Sequence, residues 1–428
     1  MKLPKLPFMA DKIQYADLIF IPLFIIFMIR LYKEKAKIIP DKIGIFLLLL
    51  VVTAFLSFLR SSLKQEILPD FIGLIYLVLL YFVFTSSITK YEEFVKINAF
   101  LFVVTLIISI FGIITSIFYN IFNTKALSLF FYDKAINSQS SFVPFSRPSS
   151  FLVSPEMFIN FMLLGLASAF LYRNNLHNLN IAKRRIIDLG ITLIIFSVLF
   201  AFSRSLVGLM LFLVLMAFRF TKKKPLGLAV RIVTLTVFIL LFFSASIFWV
   251  LTIYPVSFSV DKINRIANLS FNYNFDTRFY LAKAALAIGK EYPFLGLGMG
   301  LFTDNFTKFL SKKDVMVLSA IRQTPPSLLK LDPHSVYFGA IAELGYLGIT
   351  MVLFIFIFIL HKVIKSFRLS VDFHLKDTCY IFLSAILGYL LNGFFADILS
   401  MRSFWILMSL GVIGANLSEK ANRVLKVS

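Results

Sequence analysis

The chain has 428 residues, of which 59% are apolar and only 15% are charged. This composition excludes an ordinary soluble domain and indicates a polytopic membrane protein. The net charge of +21 would suggest a nucleic-acid partner in a globular protein, but here the lysines and arginines cluster between apolar runs. That distribution is the positive-inside pattern of membrane proteins, so no nucleic-acid partner is predicted.

Several common sites are missing from the sequence. The single cysteine, Cys379, excludes an internal disulfide framework, and no Cys/His cluster has the spacing of zinc ligands. The sequence has no Asp-x-Asp pair for a metal with a nucleotide sugar, no Walker loop and no Gly-x-Ser-x-Gly elbow. The glycine-rich stretch 296–300 lacks a βαβ setting, so it predicts a turn before an interfacial helix. We therefore predict neither a metal nor a cofactor.

Apolar runs of about 17 to 25 residues are long enough to cross a bilayer, and about eleven follow one another along the chain. The first has a basic flank but no small-residue cleavage site, so we interpret it as a retained span. We predict an all-α, polytopic membrane protein with about 11–12 transmembrane helices, in one integral membrane domain over residues 1–428. The predicted spans are 15–31, 43–59, 71–88, 98–119, 154–172, 187–202, 205–218, 232–253, 335–360, 378–396 and 403–417.

Basic segments between the spans predict the topology. Residues 173–185 and 219–224 carry basic residues and no acid, so both are expected in the cytoplasm. The apolar stretch between them is about two membrane thicknesses long and is interrupted only at Ser203–Ser205. This predicts a tight helical hairpin with Arg204 at the outer surface.

The same reasoning applies on both sides of that hairpin. Residues 361–368 and 420–426 are basic and predict the cytoplasmic side, which leaves the large loop 254–334 outside the cytoplasm, carrying part of the active site. The loop 120–153 is predicted to lie outside as well. Only the N terminus fits poorly, because its lysines favour the inside; either the start lies outside or an upstream helix has been lost.

Four residues are thereby predicted to meet on the outer face, namely Arg147, Arg204, Arg278 and His334. The other three histidines lie in basic cytoplasmic segments, whereas His334 directly precedes a span. An imidazole can take a proton from a hydroxyl near neutral pH, so His334 is a candidate general base. The alternative is an interfacial histidine bonded to a backbone carbonyl.

Guanidinium groups bind phosphate through two parallel hydrogen bonds and keep their charge. The three outer arginines therefore suit a phosphate-bearing lipid. Each also has a simpler interpretation: Arg204 could reach lipid headgroups, Arg278 could pair with Asp276, and Arg147 precedes a proline that favours an extended turn.

Four motifs follow one another in the second half of the chain. They are Ser-Arg-Ser at 203–205, Asp-Thr-Arg at 276–278, Pro-Phe-Leu-Gly-Leu-Gly-Met-Gly at 293–300, and Asp-Pro-His-Ser-Val-Tyr at 332–337 with Glu-Leu-Gly-Tyr-Leu-Gly after it. In this order they resemble the O-antigen ligase and O-antigen polymerase superfamily of bacterial envelopes. The resemblance covers roughly residues 147–350 by motif and the whole chain by topology, and it departs at Ser335, where the family commonly has asparagine.

The resemblance implies a GT-C-like, metal-independent, inverting glycosyltransferase of the bacterial inner membrane with its active site facing the periplasm. Its donor would be a glycan on undecaprenyl diphosphate, transferred en bloc to an acceptor hydroxyl in O-antigen, lipopolysaccharide or exopolysaccharide biosynthesis. Arg204 and Arg278 would hold the diphosphate, with Arg147 as a third candidate, and His334 would activate the acceptor. The span grooves would hold the polyprenyl chain among the membrane lipids.

Two other classes remain open. A transporter or flippase of polysaccharide lipids would be expected to show repeat-related broken helices and ionisable groups near the bilayer midplane. The charged groups of this sequence gather at the span ends, which favours an enzyme. A structural envelope subunit would give Arg204 and His334 no functional role. A ligase would use lipid A core or a protein as acceptor and a polymerase another lipid-linked unit, and the sequence does not distinguish them.

Overall fold

A computed structural model describes most of the chain. Every regular element in the described part is helical, and none of it is a strand, so the prediction of an all-α fold is confirmed. The described residues are 15–34, 40–61, 63–122, 152, 154–175, 181–199, 201, 203–220, 273–322 and 324–427.

The described helices follow the predicted apolar runs. Every predicted span overlaps a helix except 232–253, which lies outside the described residues, and the last four residues of 378–396 lie in a turn after the helix. Short 3₁₀ turns occur at Phe306–Phe309, Pro326–Leu328 and Ile398–Ser400. The α-helices are α1 (Tyr15–Glu34), α2 (Lys42–Arg60), α3 (Lys64–Ser87), α4 (Tyr91–Phe122), α5 (Pro155–Asn174), α6 (Ile181–Leu199), α7 (Leu206–Phe220), α8 (Tyr273–Glu291), α9 (Phe302–Asn305), α10 (Lys312–Arg322), α11 (Val336–Leu369), α12 (Phe373–Asn392) and α13 (Arg402–Val427).

Polar residues at helix starts explain where some of these helices begin. The carboxylate of Asp41 accepts a hydrogen bond from the amide of Gly44 at 2.9 Å, at the start of α2. Asp372 does the same for the amide of Leu375 at 3.0 Å, at the start of α12. Each bond satisfies one of the amides that a helix N terminus leaves unpaired.

Five helices in the described part are long and apolar enough to cross a membrane, namely α2, α3, α4, α5 and α11. In α5, 72% of an apolar 18-residue stretch is buried inside the protein, against 33–39% of the corresponding stretch in each of the other four helices. Helix α5 therefore lies at the centre of the bundle. The other four present apolar faces outward, as expected of helices in contact with lipid.

Charged residues pair at one end of the bundle. Arg219, near the end of α7, pairs with Asp377 in the first turns of α12 at 2.7 Å, and the Asp377 side chain is only 1% exposed. Lys362 in the last third of α11 pairs with Asp41 at 2.6 Å. The segments predicted to be cytoplasmic therefore meet at a common end, which we call the basic end.

Helix α11 is interrupted near its start, and nothing in the apolar run 335–360 predicts this. Gly345 has φ 68° and ψ −166°, a conformation that essentially only glycine adopts. A Cβ at this position would lie 2.6 Å from the backbone of Phe294. The span therefore consists of a short helix over 336–344 and a long helix from residue 346 onward.

Residues 293–300, which we call the clip, supply the hydrogen bonds that the interruption leaves unmade. The amide of Leu297 donates to the carbonyl of Ala342 at 2.8 Å, and the amide of Gly298 donates to that of Glu343 at 3.0 Å. These carbonyls end the short helix and would otherwise lack partners. The clip thus acts as the C-terminal cap of the short helix.

The clip also begins the long helix and is tied to α2. The amide of Tyr346 donates to the carbonyl of Pro293 at 2.7 Å. The hydroxyl of Ser57, buried on α2, donates to the carbonyl of Leu295 at 2.8 Å. The clip, which the sequence predicts to be a turn before a helix, is followed by α9. It also links α2 to α11.

The described part of the predicted outer loop has a small core of its own. Fully buried side chains of α8 pack there against buried aromatic rings that follow the clip, and Ala342 of the short helix belongs to the same group. Helix α8 is thereby fixed on α11 instead of extending into solvent. The members of this core include Leu281, Ala284, Ala285, Ile288, Phe302, Phe306 and Leu318.

We predict that Gly345→Ala destabilises the protein. The new Cβ meets the Phe294 backbone, and alanine in this region of φ and ψ costs roughly 1–3 kcal/mol before any clash is counted. The matched control is Gly73→Ala on α3, where a Cβ meets nothing within 4 Å. Thermal unfolding of the detergent-purified variants measures the difference, and equal midpoints for the two variants would contradict the role of the interruption.

Candidate active site at one end of the bundle

Arg204 lies in the tight turn that joins α6 to α7. The amides of Leu206 and Val207 donate to the carbonyls of Ser203 and Arg204 at 3.0 and 3.1 Å, so the chain turns directly into α7. Ser203 and Ser205 are buried, whereas Arg204 is half-buried. The sequence predicted the turn and the place of Arg204 in it, but α6 packs mainly on α4 and α5 and α7 mainly on α12, so the two helices do not pack on each other as a hairpin.

Arg278 lies in the first half of α8 and is half-buried. Its guanidinium carbon is 5.6 Å from the centre of the Phe395 ring, within the range of a cation–π interaction. Its Nη1 is buried without a hydrogen-bond partner among the described residues. Burial, and after it the positive charge of Arg204, lowers the pKa of Arg278 to about 10, while Glu156 opposes the change. The guanidinium therefore keeps its charge at neutral pH.

His334 directly precedes α11 and has a left-handed backbone, with φ 47°. The two residues after it are anchored to one carbonyl of the turn that follows α12. The Ser335 hydroxyl donates to the carbonyl of Gly393 at 3.1 Å, and the Val336 amide donates to it at 2.9 Å. These bonds fix the backbone from which the imidazole projects. Ser335, where the sequence departs from the family pattern, therefore helps to hold the backbone next to His334.

Burial lowers the pKa of His334 below its ordinary value of 6.5, and the nearby charge of Arg278 lowers it further. The carboxylates of Glu156 and Asp332 act in the opposite direction. The balance favours the neutral imidazole, which is the form that accepts a proton.

Two carboxylates face this group from other elements. Glu156 is in the first turn of α5, which Ser154 caps by accepting the Met157 amide at 3.2 Å. Asp332 accepts a hydrogen bond from the Thr303 hydroxyl at 2.7 Å. Their charges act on His334, and that of Glu156 acts on Arg278 as well. The charge of Arg322 also lowers the pKa of both Arg278 and His334, so among the described residues three arginines act on the cluster against two carboxylates.

Asn392 at the end of α12 joins three helices of the site. Its Oδ1 accepts a hydrogen bond from the amide of Gly208 at 2.9 Å, and its Nδ2 donates to Oδ1 of Asn160 at 2.8 Å. Gly208 lies four residues after Arg204, and Asn160 four residues after Glu156. The buried amide of Asn392 therefore sets the places of α5 and α7 behind their charged residues.

Two glycines allow α7 and α12 to come this close. A Cβ at Gly208 would lie 2.1 Å from the carbonyl oxygen of Gly388, and a Cβ at Gly388 would lie 2.5 Å from the carbonyl oxygen of Gly208. No other residue type fits at this crossing without moving the helices apart. The contact brings the Asn392 side chain, one turn further along, within reach of the amide of Gly208.

The structure thus brings Arg204, Arg278 and His334 together at the end of the bundle opposite the basic end. Arg147, the fourth predicted site residue, lies outside the described residues, as does the side chain of Asp276. The roles of all four predicted site residues remain predictions.

Sequence reasoning missed Phe395 and Asn392 as parts of the site. A weak signal for Asn392 exists, because an asparagine within the apolar run 378–396 must find partners among neighbouring helices. Nothing in the sequence links Phe395 to Arg278, since the chain has 52 phenylalanines.

An apolar cavity of about 230 Å³ lies away from this group, between α1, α2 and α3. Its lining includes Phe24, Pro40 and Phe82. Pro40 directly precedes Asp41, which places the cavity toward the basic end. The cavity therefore does not adjoin the candidate site.

Comparison with known families bears on the same region. Residues 189–355 match the family model described as Wzy_C, O-antigen ligase, whereas no curated protein matches the chain. The matched region begins in α6 and ends within α11, so it contains Arg204, Arg278 and His334. Together with the long apolar helices, the match supports a multi-pass membrane protein whose residues 189–355 are similar to the O-antigen ligase family.

Proposed function

We propose that this protein is a glycosyltransferase that moves a glycan en bloc from undecaprenyl diphosphate to an acceptor hydroxyl in surface polysaccharide biosynthesis. The observation that carries the proposal is the meeting of Arg204, Arg278 and His334 within a region that matches the O-antigen ligase family. The acceptor is lipid A core for a ligase and another lipid-linked unit for a polymerase. Both acceptors fit the same donor chemistry.

The arginines supply the anion-binding part of the site. Two guanidinium groups close enough to lower the pKa of one of them repel each other, and an anion between them removes that repulsion. A diphosphate offers two charged groups with the geometry for paired N–H···O bonds. As the glycosidic bond breaks, charge grows on the leaving diphosphate, and fixed cations stabilise it most at that stage. Arg147 is proposed as a third member of this set.

His334 supplies the proton acceptor. In an inverting transfer the acceptor oxygen attacks the anomeric carbon while the bond from that carbon to the diphosphate oxygen breaks. The hydroxyl proton passes to the neutral imidazole of His334, and the electron pair of the broken bond leaves with the diphosphate. The lowered pKa of His334 supports this role, because the imidazole is ready to accept a proton at neutral pH.

We further propose that the protein lies in the bacterial inner membrane with the site facing the periplasm. The ion pairs at the basic end support this orientation, because the positive-inside rule assigns such segments to the cytoplasm. A polyprenyl donor would then present its diphosphate at the membrane surface, where the arginines lie.

The transporter or flippase is the alternative, and the interruption of α11 is the feature that would favour it. Broken helices of transporters offer their free carbonyls to ions. In this protein the carbonyls of Ala342 and Glu343 already accept hydrogen bonds from the clip. The interruption is therefore better explained as a joint between α11 and the helical loop, and the enzyme is the proposal that we favour.

We predict that lysine does not replace either arginine. Arg204→Lys and Arg278→Lys keep the charge but lose the planar fork, and we expect glycan transfer to fall by roughly 10²-fold or more. The measurement is surface glycan in cells that carry only the variant, with membrane expression checked by immunoblot. Arg368→Lys, an exposed position at the other end of α11, is the matched control and should transfer normally. Wild-type glycan in both site variants would argue against diphosphate binding by these residues.

We predict that His334→Ala lowers the transfer rate by roughly 10²–10⁴-fold while donor binding is nearly unchanged, because deprotonation contributes only in the transition state. The pKa of His334 lies below 6.5, so wild-type activity should be full at pH 7 and decline only as the pH falls below 6.5. His361→Ala, at the basic end, is the control. A folded His334→Ala protein with the wild-type rate would remove the histidine from the mechanism and make Glu156 or Asp332 the next candidate base.

We predict that transfer by the purified protein continues in EDTA. The support is chemical, because two or three arginines can stabilise a leaving diphosphate without a metal ion. In addition, no group of three His, Cys, Asp or Glu side chains in the described part of the chain is arranged to hold a metal. Activity that disappears in EDTA and returns with a divalent cation would show that the mechanism needs a metal.

A further inference from the structure

Arg278 is held in a way that leaves donors unused. Its guanidinium lies over the Phe395 ring, 5.6 Å from the ring centre, and its buried Nη1 has no hydrogen-bond partner among the described residues. An aromatic face attracts a guanidinium through the ring quadrupole and occupies none of its five N–H groups. A carboxylate in the same place would occupy two of them. The ring therefore fixes the group while the N–H groups of Nη1 remain for a ligand.

The Phe395 ring is itself in a fixed place. The amides of Phe395 and Ala396 both donate to the carbonyl of Asn392, at 2.8 and 2.9 Å. The Asn392 side chain is fully buried and bonded to Gly208 and Asn160. The turn that carries the ring is thus tied to α7, which begins directly after the turn of Arg204, and to α5, which carries Glu156.

The same turn also reaches the candidate base. The carbonyl of Gly393 accepts the bonds from Ser335 and Val336, the two residues after His334. One turn of five residues, 392–396, therefore contacts the elements of every described residue in the proposed site. Within it, Phe395 contacts a charged group of that site directly.

We propose that Phe395 is a positioning residue for the reaction, which orients the guanidinium of Arg278 for the diphosphate of the donor without using its hydrogen-bond donors. This inference rests on the proposed function and adds a residue to it. It requires an aromatic face at position 395 and not merely an apolar side chain.

The test uses the full chain, purified in detergent, with undecaprenyl diphosphate as the probe in a binding titration. Phe395→Leu keeps apolar bulk but loses the ring, and we expect binding roughly 2- to 30-fold weaker, the range that a cation–π contact supplies. Phe395→Tyr keeps the ring face and should bind within about twofold of wild type. The control is Phe394→Leu, which replaces an exposed neighbouring phenylalanine that packs on Tyr337 and should bind as wild type.

A double-mutant cycle then separates positioning from general packing. If Phe395 acts through Arg278, Phe395→Leu should weaken binding no further in an Arg278→Ala background. Equal losses for Phe395→Leu and Phe395→Tyr, or the same loss in the Arg278→Ala background as in wild type, would overturn the inference. Thermal unfolding of each variant verifies folding, and Phe395→Met replaces the leucine variant if that one does not fold.

The two proposals fail in different ways. Normal binding by Arg278→Ala would remove Arg278 from the diphosphate site, and the proposed function would lose its main support. Weak binding by Arg278→Ala together with normal binding by Phe395→Leu would leave the proposed function intact and reject only the role of Phe395.

Discussion

An interrupted helix in an apolar environment leaves backbone groups that find no water, so each of them needs a partner from the protein. At Gly345 the clip provides these partners, two amides before the interruption and one carbonyl after it. The clip directly follows α8, and therefore the bonds that satisfy α11 also fix α8 against it. Arg278 belongs to α8 and His334 precedes α11. Backbone hydrogen bonds, rather than contacts of their own side chains, thus bring these two residues into one place.

Arg204 joins them by a different route, through the crossing of α7 and α12 and the amide of Asn392. Positive charge is in excess among the described residues of the site, because Arg204, Arg278 and Arg322 act there against the carboxylates of Glu156 and Asp332 while His334 is neutral. Such a site gains more from a dianionic ligand than from water, because the ligand removes the repulsion between the cations as well as pairing with each. The buried polar groups behind it are bonded to one another, which makes their arrangement rigid.

Much of the fold, and part of the candidate site, could be predicted from the sequence. The apolar runs predicted the helices, and the basic segments predicted that Arg204, Arg278 and His334 lie at the same end, because alternating crossings leave no other arrangement. The interruption at Gly345 was not accessible, since glycines are common in membrane helices and the same run contains two others, Gly339 and Gly348. Nor was the contact between Arg278 and Phe395, which are more than a hundred residues apart and meet only through tertiary packing. For Arg147 the sequence remains the only source.

The left-handed backbone of His334 affects which residues position 334 can accommodate. A left-handed φ is a conformation that glycine adopts freely and a histidine adopts at a cost of about 1 kcal/mol or more. On grounds of the φ angle alone, glycine is the preferred residue at position 334. The bonds from Ser335 and Val336 to Gly393 hold the chain in that conformation whichever side chain is present. Backbone conformation and the proposed chemistry therefore favour different residues at position 334, and a histidine there accepts backbone strain that a glycine would not.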